Sequence, residues 1–170
     1  AAPALVEGAE EQVDTLTMVQ VGVYVMRISD FSQRDGRFDI DAWFWFRWQG
    51  TDVMPHEAFE IVNGNITERE ANDVIDDGGY NYAAVRVQAT IYHQFDVTHF
   101  PFDNHVITIE VEDSNLENAN QQFVVDRGIA LDEAVAVEGW HVRLGRPTAA
   151  PHEYPTTYGY RSLDSTTSSY

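Results

Sequence analysis

Apolar and polar residues alternate along several stretches of the chain, and this period of two predicts strands with one face in a core. The clearest stretch runs from Phe38 to Trp48, where every second residue, beginning with Phe38, is apolar. Similar alternation marks residues 16–28, 82–95 and 105–112. We therefore predict four half-buried strands over these stretches.

The remaining segments carry weaker signals. Three short apolar stretches are predicted as strands: 59–62, 123–125 and 134–144. The polar segment 67–79 ends in Asp-Asp-Gly-Gly, which predicts a loop with at most a weak helical turn. Residues 148–170 are rich in Thr, Ser, Tyr and Pro, which suits a long β-hairpin or a loop.

Short strands separated by turn residues are typical of an all-β sandwich or barrel. Residues 1–15 are predicted as a short helix or a frayed arm, because they are rich in Ala and Glu and lack a strand pattern. No repeat or domain boundary interrupts the rest of the 170 residues. We therefore expect one β-domain over residues 16–170.

The net charge of the chain argues against some classes of binding partner. Asp and Glu number 28 against 10 basic residues, all of them Arg, and the formal net charge is -18. Such a surface repels phosphate, which argues against nucleic acid and disfavours an anionic membrane surface. Two interpretations stay open: the carboxylates bind cations, or they keep the protein soluble in a salty medium.

The residues offer little catalytic chemistry, and we predict that the protein is not an enzyme. There is no cysteine, no Gly-x-Ser-x-Gly elbow, no phosphate-binding glycine loop and no zinc-protease motif. His99 and His105 could share a metal, although structural roles fit them better. No cofactor is required, but Ca²⁺ is an open candidate at Glu110, Glu112 and Asp113, where a solvated loop is the alternative.

Aromatic residues give the clearest sign of binding. Trp43 and Trp45 fall on the polar face of the Phe38–Trp48 strand, where leaving two indoles exposed to water is unfavourable. Another part of the same chain, a partner subunit or a ligand could bury them. A second aromatic group crowds the C-terminal hairpin, where a binding loop and an ordinary edge hairpin both fit: Tyr154, Tyr158, Tyr160 and Tyr170.

Three stretches of the chain resemble the extracellular ligand-binding domain of pentameric ligand-gated ion channels, the Cys-loop receptor superfamily, in its prokaryotic form. The first joins Val19-Gln20-Val21-Gly22 to the Trp-Phe-Trp-Phe-Arg-Trp run at 43–48. The second is Phe100-Pro101-Phe102-Asp103 with His105 one residue further on, which is similar to the family's signature loop. The third comprises Gly139-Trp140 and Ser168-Ser169-Tyr170.

The resemblance implies an immunoglobulin-like β-sandwich of about ten strands with a short N-terminal helix. It implies a sensor at the extracellular or periplasmic face of a membrane, which assembles as a homopentamer and binds a small ligand or cation between subunits. The pore domain that such a sensor gates is absent from this chain. Two alternatives stay open: a standalone soluble binding protein of the same fold, and a carbohydrate-binding β-sandwich that stacks sugars on Trp43 and Trp45.

The resemblance also assigns residues to roles. Trp43 matches the binding aromatic on the complementary side of the interface, and Trp48 matches a structural residue of the core. The predicted ligand-binding set is Trp43, Trp45, Arg47, Arg86, Tyr154, Tyr158 and Tyr160. The loops predicted to pass binding on to the pore contain Ser32, Gln33, Arg34, Phe100, Pro101, Phe102 and Asp103.

The chain also departs from the family pattern. His93 and Ile107 stand where eukaryotic members have the two cysteines of the signature loop, so that disulfide is absent. Ser114 and Val62 stand at two positions where relatives place binding-site residues, and neither carries an aromatic ring. The ligand could therefore be an amine other than a quaternary ammonium, a carboxylate, a divalent cation or a proton.

Overall fold

A computed structural model of the protein describes residues 16–99, 103–114, 121–156 and 166–169. These residues form mostly β-strands with almost no helix, which confirms the all-β prediction. They contain eleven strands and one helix of four residues, and no helix among them is long and apolar enough to cross a bilayer. The helix or arm predicted for residues 1–15 lies outside the described residues.

The largest sheet contains seven strands, numbered here in chain order. Its centre is formed by β1 (Thr17–Ser32), β2 (Arg37–Trp48) and β6 (Asn81–Tyr92), which pair antiparallel. The outer strands are β4 (Gly64–Ala71) beside β6 and β8 (Gln121–Val125) beside β1. Two short strands, β5 (Ile75–Asp76) and β9 (Ala130–Leu131), pair with β6 and β1 respectively. The strands β8 and β9 run parallel to β1.

Two smaller antiparallel pairs complete the described structure. β3 (Phe59–Ile61) pairs with β7 (Val111–Asp113), and β10 (Pro151–Tyr154) pairs with β11 (Thr166–Ser169). The helix α1 (Pro55–Ala58) leads directly into β3, and its proline stands at the first helical position, where no backbone donor is needed. The C-terminal pair confirms the predicted hairpin.

The core lies on one face of the large sheet. All six residues of β2 predicted to face inward are buried: Phe38, Ile40, Ala42, Phe44, Phe46 and Trp48. Ring contacts link this strand to the smaller pairs, because Phe59 of β3 lies 5.5 Å from Phe44 and 4.8 Å from Phe46 between ring centroids. Ile107, Ile109 and Val111 pack on the same core. Burial therefore confirms the predicted faces of β2 and β6.

Two predictions about the middle of the chain are wrong. Residues 67–79 were expected to be a loop, but β4 and β5 occupy much of this segment. An edge strand needs only backbone hydrogen bonds, and most side chains of β4 are exposed, so no apolar alternation marks it. Within 105–112, only β7 pairs as a strand, although the apolar side chains before it still face the core.

The strand predicted over residues 134–144 is also absent. This segment contains a turn and an isolated bridge between Val137 and Trp140. Val135 is partly buried against the core without belonging to a ladder. Alternating apolar residues therefore bury side chains here while the backbone stays irregular.

A glycine fixes the approach of β1 to β2. Gly22 lies opposite Trp45, and a Cβ atom at Gly22 would come within 2.1 Å of the indole ring. A hydrogen bond also holds this part of the indole, because its Nε1 donates to Asp126 Oδ2 at 2.6 Å. The ring therefore cannot move aside without breaking that bond.

We expect Gly22→Ala to lower the free energy of unfolding by about 1–3 kcal/mol, because an added methyl group overpacks this contact. Gly145→Ala is the matched control, since no atom lies within 4 Å of a Cβ built there. Urea unfolding of both variants measures the difference. Equal stabilities would contradict the role assigned to Gly22.

Candidate functional site

The face of the large sheet opposite the core, called the outer face here, carries the predicted aromatic site. Trp43 stands on β2 between Tyr24 of β1 and Arg86 of β6, which are its direct cross-strand partners. The indole is half-buried. No hydrogen bond or ring contact within the described part of the chain engages it. Trp43 is therefore rigidly placed by its strand and still accessible.

A buried carboxylate lies next to Trp43 on the outer face. Asp41 is only 5% exposed, although it stands on the polar side of β2. Arg86 binds it through two hydrogen bonds, Nε to Oδ1 at 3.0 Å and Nη2 to Oδ2 at 2.9 Å. Arg27 adds a third hydrogen bond from Nη2 at 3.2 Å. The Arg86 guanidinium lowers the pKa of Asp41, so the carboxylate stays ionised.

This arrangement places two cationic side chains on the outer face. Two arginines share one carboxylate, and both arginine side chains are largely or partly exposed. Arg86 also lines a groove with Glu68, Glu70 and Gln88. An otherwise strongly acidic protein therefore presents cationic groups beside an accessible indole.

Two other residues of the predicted ligand-binding set are engaged within the chain. The Trp45 indole packs against Gly22 and donates to Asp126. The Arg47 guanidinium forms an ion pair with Asp77 at 3.5 Å and lies 4.7 Å from the centre of the Tyr80 ring. Trp45 and Arg47 thus hold loops to the large sheet, while Trp43 and Arg86 face outward.

The β3–β7 pair carries a second group of polar residues, on which the C-terminal hairpin closes. Glu60 of β3 lies directly opposite Glu112 of β7. Glu112 is 7% exposed, and the Tyr154 hydroxyl of β10 lies 2.9 Å and 2.8 Å from its two carboxylate oxygens. Burial, and then the charge of Glu112, raise the pKa of Glu60. We call Glu60 and Glu112 the acidic pair.

The three residues predicted as Ca²⁺ ligands have different surroundings. Glu112 belongs to the acidic pair, Glu110 accepts a hydrogen bond from the Thr108 hydroxyl at 3.2 Å, and Asp113 accepts one from the Gln121 amide. Among the described residues, no group of three or more His, Asp or Glu side chains could hold a metal ion. Calcium binding stays a prediction.

Three of the predicted coupling residues, Ser32, Gln33 and Arg34, lie at the end of the large sheet where β1 turns into β2. The Ser32 hydroxyl donates to Asp35 Oδ2 at 2.8 Å, and its oxygen accepts a bond from the Asp35 amide. Arg34 is exposed, whereas Gln33 Nε2 is buried and has no hydrogen-bond partner among the described residues. Within the same described part of the chain, both carboxylate oxygens of Asp103 are likewise buried without a partner.

A chain of rings connects the turn between β1 and β2 to the segment after the signature loop. The Phe31 ring lies 5.1 Å from Phe95, and Phe95 lies 5.2 Å from His105. Trp140 contacts both Phe31 and His105. The remaining coupling residues, Phe100, Pro101 and Phe102, lie outside the described residues, as do Tyr158 and Tyr160 of the predicted ligand-binding set and Tyr170 of the C-terminal aromatic group.

Ser114 and Val62, the two residues without an aromatic ring that were named above as departures from the family pattern, lie near the acidic pair. Ser114 donates its hydroxyl to the carbonyl of Ala58, which ties the end of β7 to α1. Val62 is exposed, and its amide donates to the carbonyl of Glu110 at 2.8 Å. The space beside β3 and β7 is therefore bordered by carboxylates and a phenol.

Several residues of these sites were missed from the sequence. The alternation placed Asp41 on the polar face but gave no sign of its burial or of its arginine partners. Glu60 was not predicted as a site residue, because its position opposite Glu112 depends on the pairing of β3 with β7. Tyr24 could have been noticed, since it stands on the polar side of an alternating strand and its hydroxyl donates to Asp132 at 2.5 Å.

No family model and no curated protein matches this chain.

We expect Asp41→Asn to lower the free energy of unfolding by about 1–3 kcal/mol at pH 7, the usual contribution of hydrogen bonds to a charged group. The pKa of Asp41 is lowered in the fold, so its stabilisation is complete above the ordinary value of 3.8 and disappears as the pH falls through the lowered pKa. The difference between wild type and variant should therefore shrink in acid.

Urea unfolding at pH 7 and at about pH 2.5 measures this difference. Asp52→Asn, at an exposed aspartate, controls for the loss of one negative charge. A difference that is the same at both pH values would contradict the ionic role of Asp41.

Proposed function

We propose that this chain is the extracellular sensor domain of a pentameric ligand-gated ion channel, binding a small ligand or cation between neighbouring copies. The observation that carries the proposal is the position of Trp43, an accessible indole fixed on a central strand between Tyr24 and Arg86. Trp is enriched at interfaces and is the best aromatic ring for contacting a cation.

An immunoglobulin-like β-sandwich agrees with the arrangement of the described strands. The large sheet supplies one layer of the core, and β3, β7 and the apolar residues before β7 cover it from the other side. Among the described residues, Trp43 of β2 and Arg86 of β6 remain partly exposed on the outer face. A second copy would cover this face in the proposed ring.

The two polar surfaces differ in the charged groups that they carry. The outer face carries Arg27 and Arg86 together with Glu68 and Glu70, whereas the region around β3 and β7 carries Glu60, Glu112 and Asp113. A head-to-tail contact joins two different surfaces of one chain and closes into a ring when the rotation fits. Arginines of one copy that meet carboxylates of the next would favour this contact over a symmetric one.

The end of the sheet with the β1–β2 turn supports the proposed coupling role. The chain of rings through Phe31, Phe95 and His105 connects that turn to the segment carrying Asp103. Ligand binding would shift the pore through a difference in affinity between two states.

The carbohydrate-binding alternative fits the structure less well. It requires Trp43 and Trp45 as two free stacking surfaces, and the Trp45 indole packs against Gly22 while it donates to Asp126. Retention on a polysaccharide that Trp43→Ala abolishes would nevertheless favour this alternative over the sensor.

Assembly is tested by native mass spectrometry of the chain, whose protomer mass is 19.3 kDa, at increasing concentration. We expect the wild-type chain to form a species of five chains. Trp43→Ala should lower the fraction of this species. Leu144→Ala, which truncates another exposed apolar side chain, should leave that fraction unchanged. Because the chain has no cysteine, Gln88→Cys on the outer face combined with Glu153→Cys on β10 can trap the contact by oxidation. A symmetric dimer as the largest species would contradict the ring.

Ligand binding is tested by titration calorimetry with tetramethylammonium, acetate and Ca²⁺ as separate probes. If a cation binds at Trp43, we expect Trp43→Ala to weaken binding by about 1–2 kcal/mol while the circular dichroism spectrum is unchanged. Leu144→Ala is again the control. The proposed site would be contradicted if each probe that binds the wild-type chain binds the Trp43→Ala variant with the same affinity.

A further inference from the structure

The acidic pair lies where three parts of the chain meet. Glu60 and Glu112 are direct cross-strand partners on β3 and β7, which places their side chains next to each other on one face. The hairpin of β10 and β11 packs against β7 and places the Tyr154 hydroxyl on both oxygens of Glu112. Glu112 is therefore shared between a carboxyl group in its own sheet and a phenol of the hairpin.

Two neighbouring carboxyl groups do not ionise together without a cost in free energy. A hydrogen bond between them requires a proton on one of the two, and a second charge adds repulsion at a site where Glu112 is already removed from water. Glu60 is the more exposed member and exchanges its proton with solvent more easily. Burial and the neighbouring charge of Glu112 both raise the pKa of Glu60, which extends its protonated form toward neutral pH.

Other charged groups surround the pair. Asp113 on β7 adds a further negative charge. On β4, the Arg69 guanidinium donates to the carbonyls of Glu57 and Phe59. On β10, the His152 ring lies 4.6 Å from the Tyr154 ring, and Glu153 is exposed. Because the imidazole of His152 lies next to Tyr154, the experiment has to separate the contribution of His152 from that of Glu60.

We propose that the proton shared by Glu60 and Glu112 holds the C-terminal hairpin on β7, which makes the docking of the hairpin sensitive to pH. In the docked state the Glu60 hydroxyl donates to Glu112, and the Tyr154 hydroxyl donates to the same carboxylate. When Glu60 releases its proton to solvent, both side chains are anionic, their hydrogen bond is lost and they repel. Glu112 then turns toward water, and Tyr154 loses its acceptor.

The direction in which folding shifts the pKa of Glu60 determines how the stability of the docked hairpin changes with pH. The pKa of Glu60 is raised above its ordinary value of 4.5, so the folded chain holds the proton more tightly than the unfolded chain. The stabilisation is complete below that ordinary value and is lost as the pH rises through the raised pKa. The hairpin should therefore be most firmly docked in mild acid. This behaviour belongs to the single chain and does not require the proposed ring.

Amide hydrogen exchange of β10 across about pH 4 to 8 tests the proposal. Rates are corrected for the intrinsic effect of pH, and protection is expressed relative to the amides of β2, which report the stability of the large sheet. For the wild-type chain we expect the relative protection of His152, Glu153 and Tyr154 to fall several-fold as the pH rises.

Four variants test which side chain causes the pH dependence of the protection of β10. Glu60→Gln keeps a hydrogen-bond donor without a titrating proton, so its β10 protection should stay high and independent of pH. Tyr154→Phe removes the contact with Glu112, so its protection should be low and equally independent of pH. Two matched controls on the same strand, Glu153→Gln and His152→Gln, should keep the wild-type dependence.

Three results would overturn the proposal. The first is relative protection in the wild-type chain that does not change with pH. The second is a pH dependence that persists in Glu60→Gln. The third is a dependence that disappears in His152→Gln, which would assign the switch to the imidazole.

Discussion

The strand β2 is paired along its length by β6 on one side and along most of its length by β1 on the other, while its inner face is wholly buried. A shift of one residue in either pairing would move the phenylalanines of β2 into water and its aspartates into the core. The register is therefore strongly fixed. The positions of Asp41 and Trp43 on the outer face follow from this register, and so does the site that we propose there.

Four of the ten arginines bind groups within the chain, although the protein is strongly acidic. Arg86 and Arg27 neutralise the buried carboxylate of Asp41, Arg47 holds the loop around Asp77, and Arg69 donates to two backbone carbonyls while it lies over Phe59. The planar guanidinium can make two directed hydrogen bonds to one carboxylate, which a lysine ammonium cannot match. This physical difference agrees with the presence of arginine as the chain's only basic residue besides histidine.

The layer facing the large sheet is held in a different way. Its paired strands are short, and much of the segment before β7 packs by side chains without a ladder. Individual polar contacts, such as that of Tyr154 with Glu112, therefore contribute a larger share of its order. Segments with few ladder hydrogen bonds open at lower free energy than central strands. A sensor would use this less stable layer to respond, while the rigid sheet keeps Trp43 in place.

The sequence by itself determined the all-β class, the course of β1, β2 and β6, and the division of β2 into an inner and an outer face. These features follow from alternation, which is a local property of consecutive residues. The tertiary structure alone decided that residues 64–71 form an edge strand, that 134–144 form none, and that Asp41 is buried. It also joined Arg86 to Asp41 across 45 positions and Tyr154 to Glu112 across 42. Those contacts depend on which strands pair and how the layers stack, and local alternation carries no information about either.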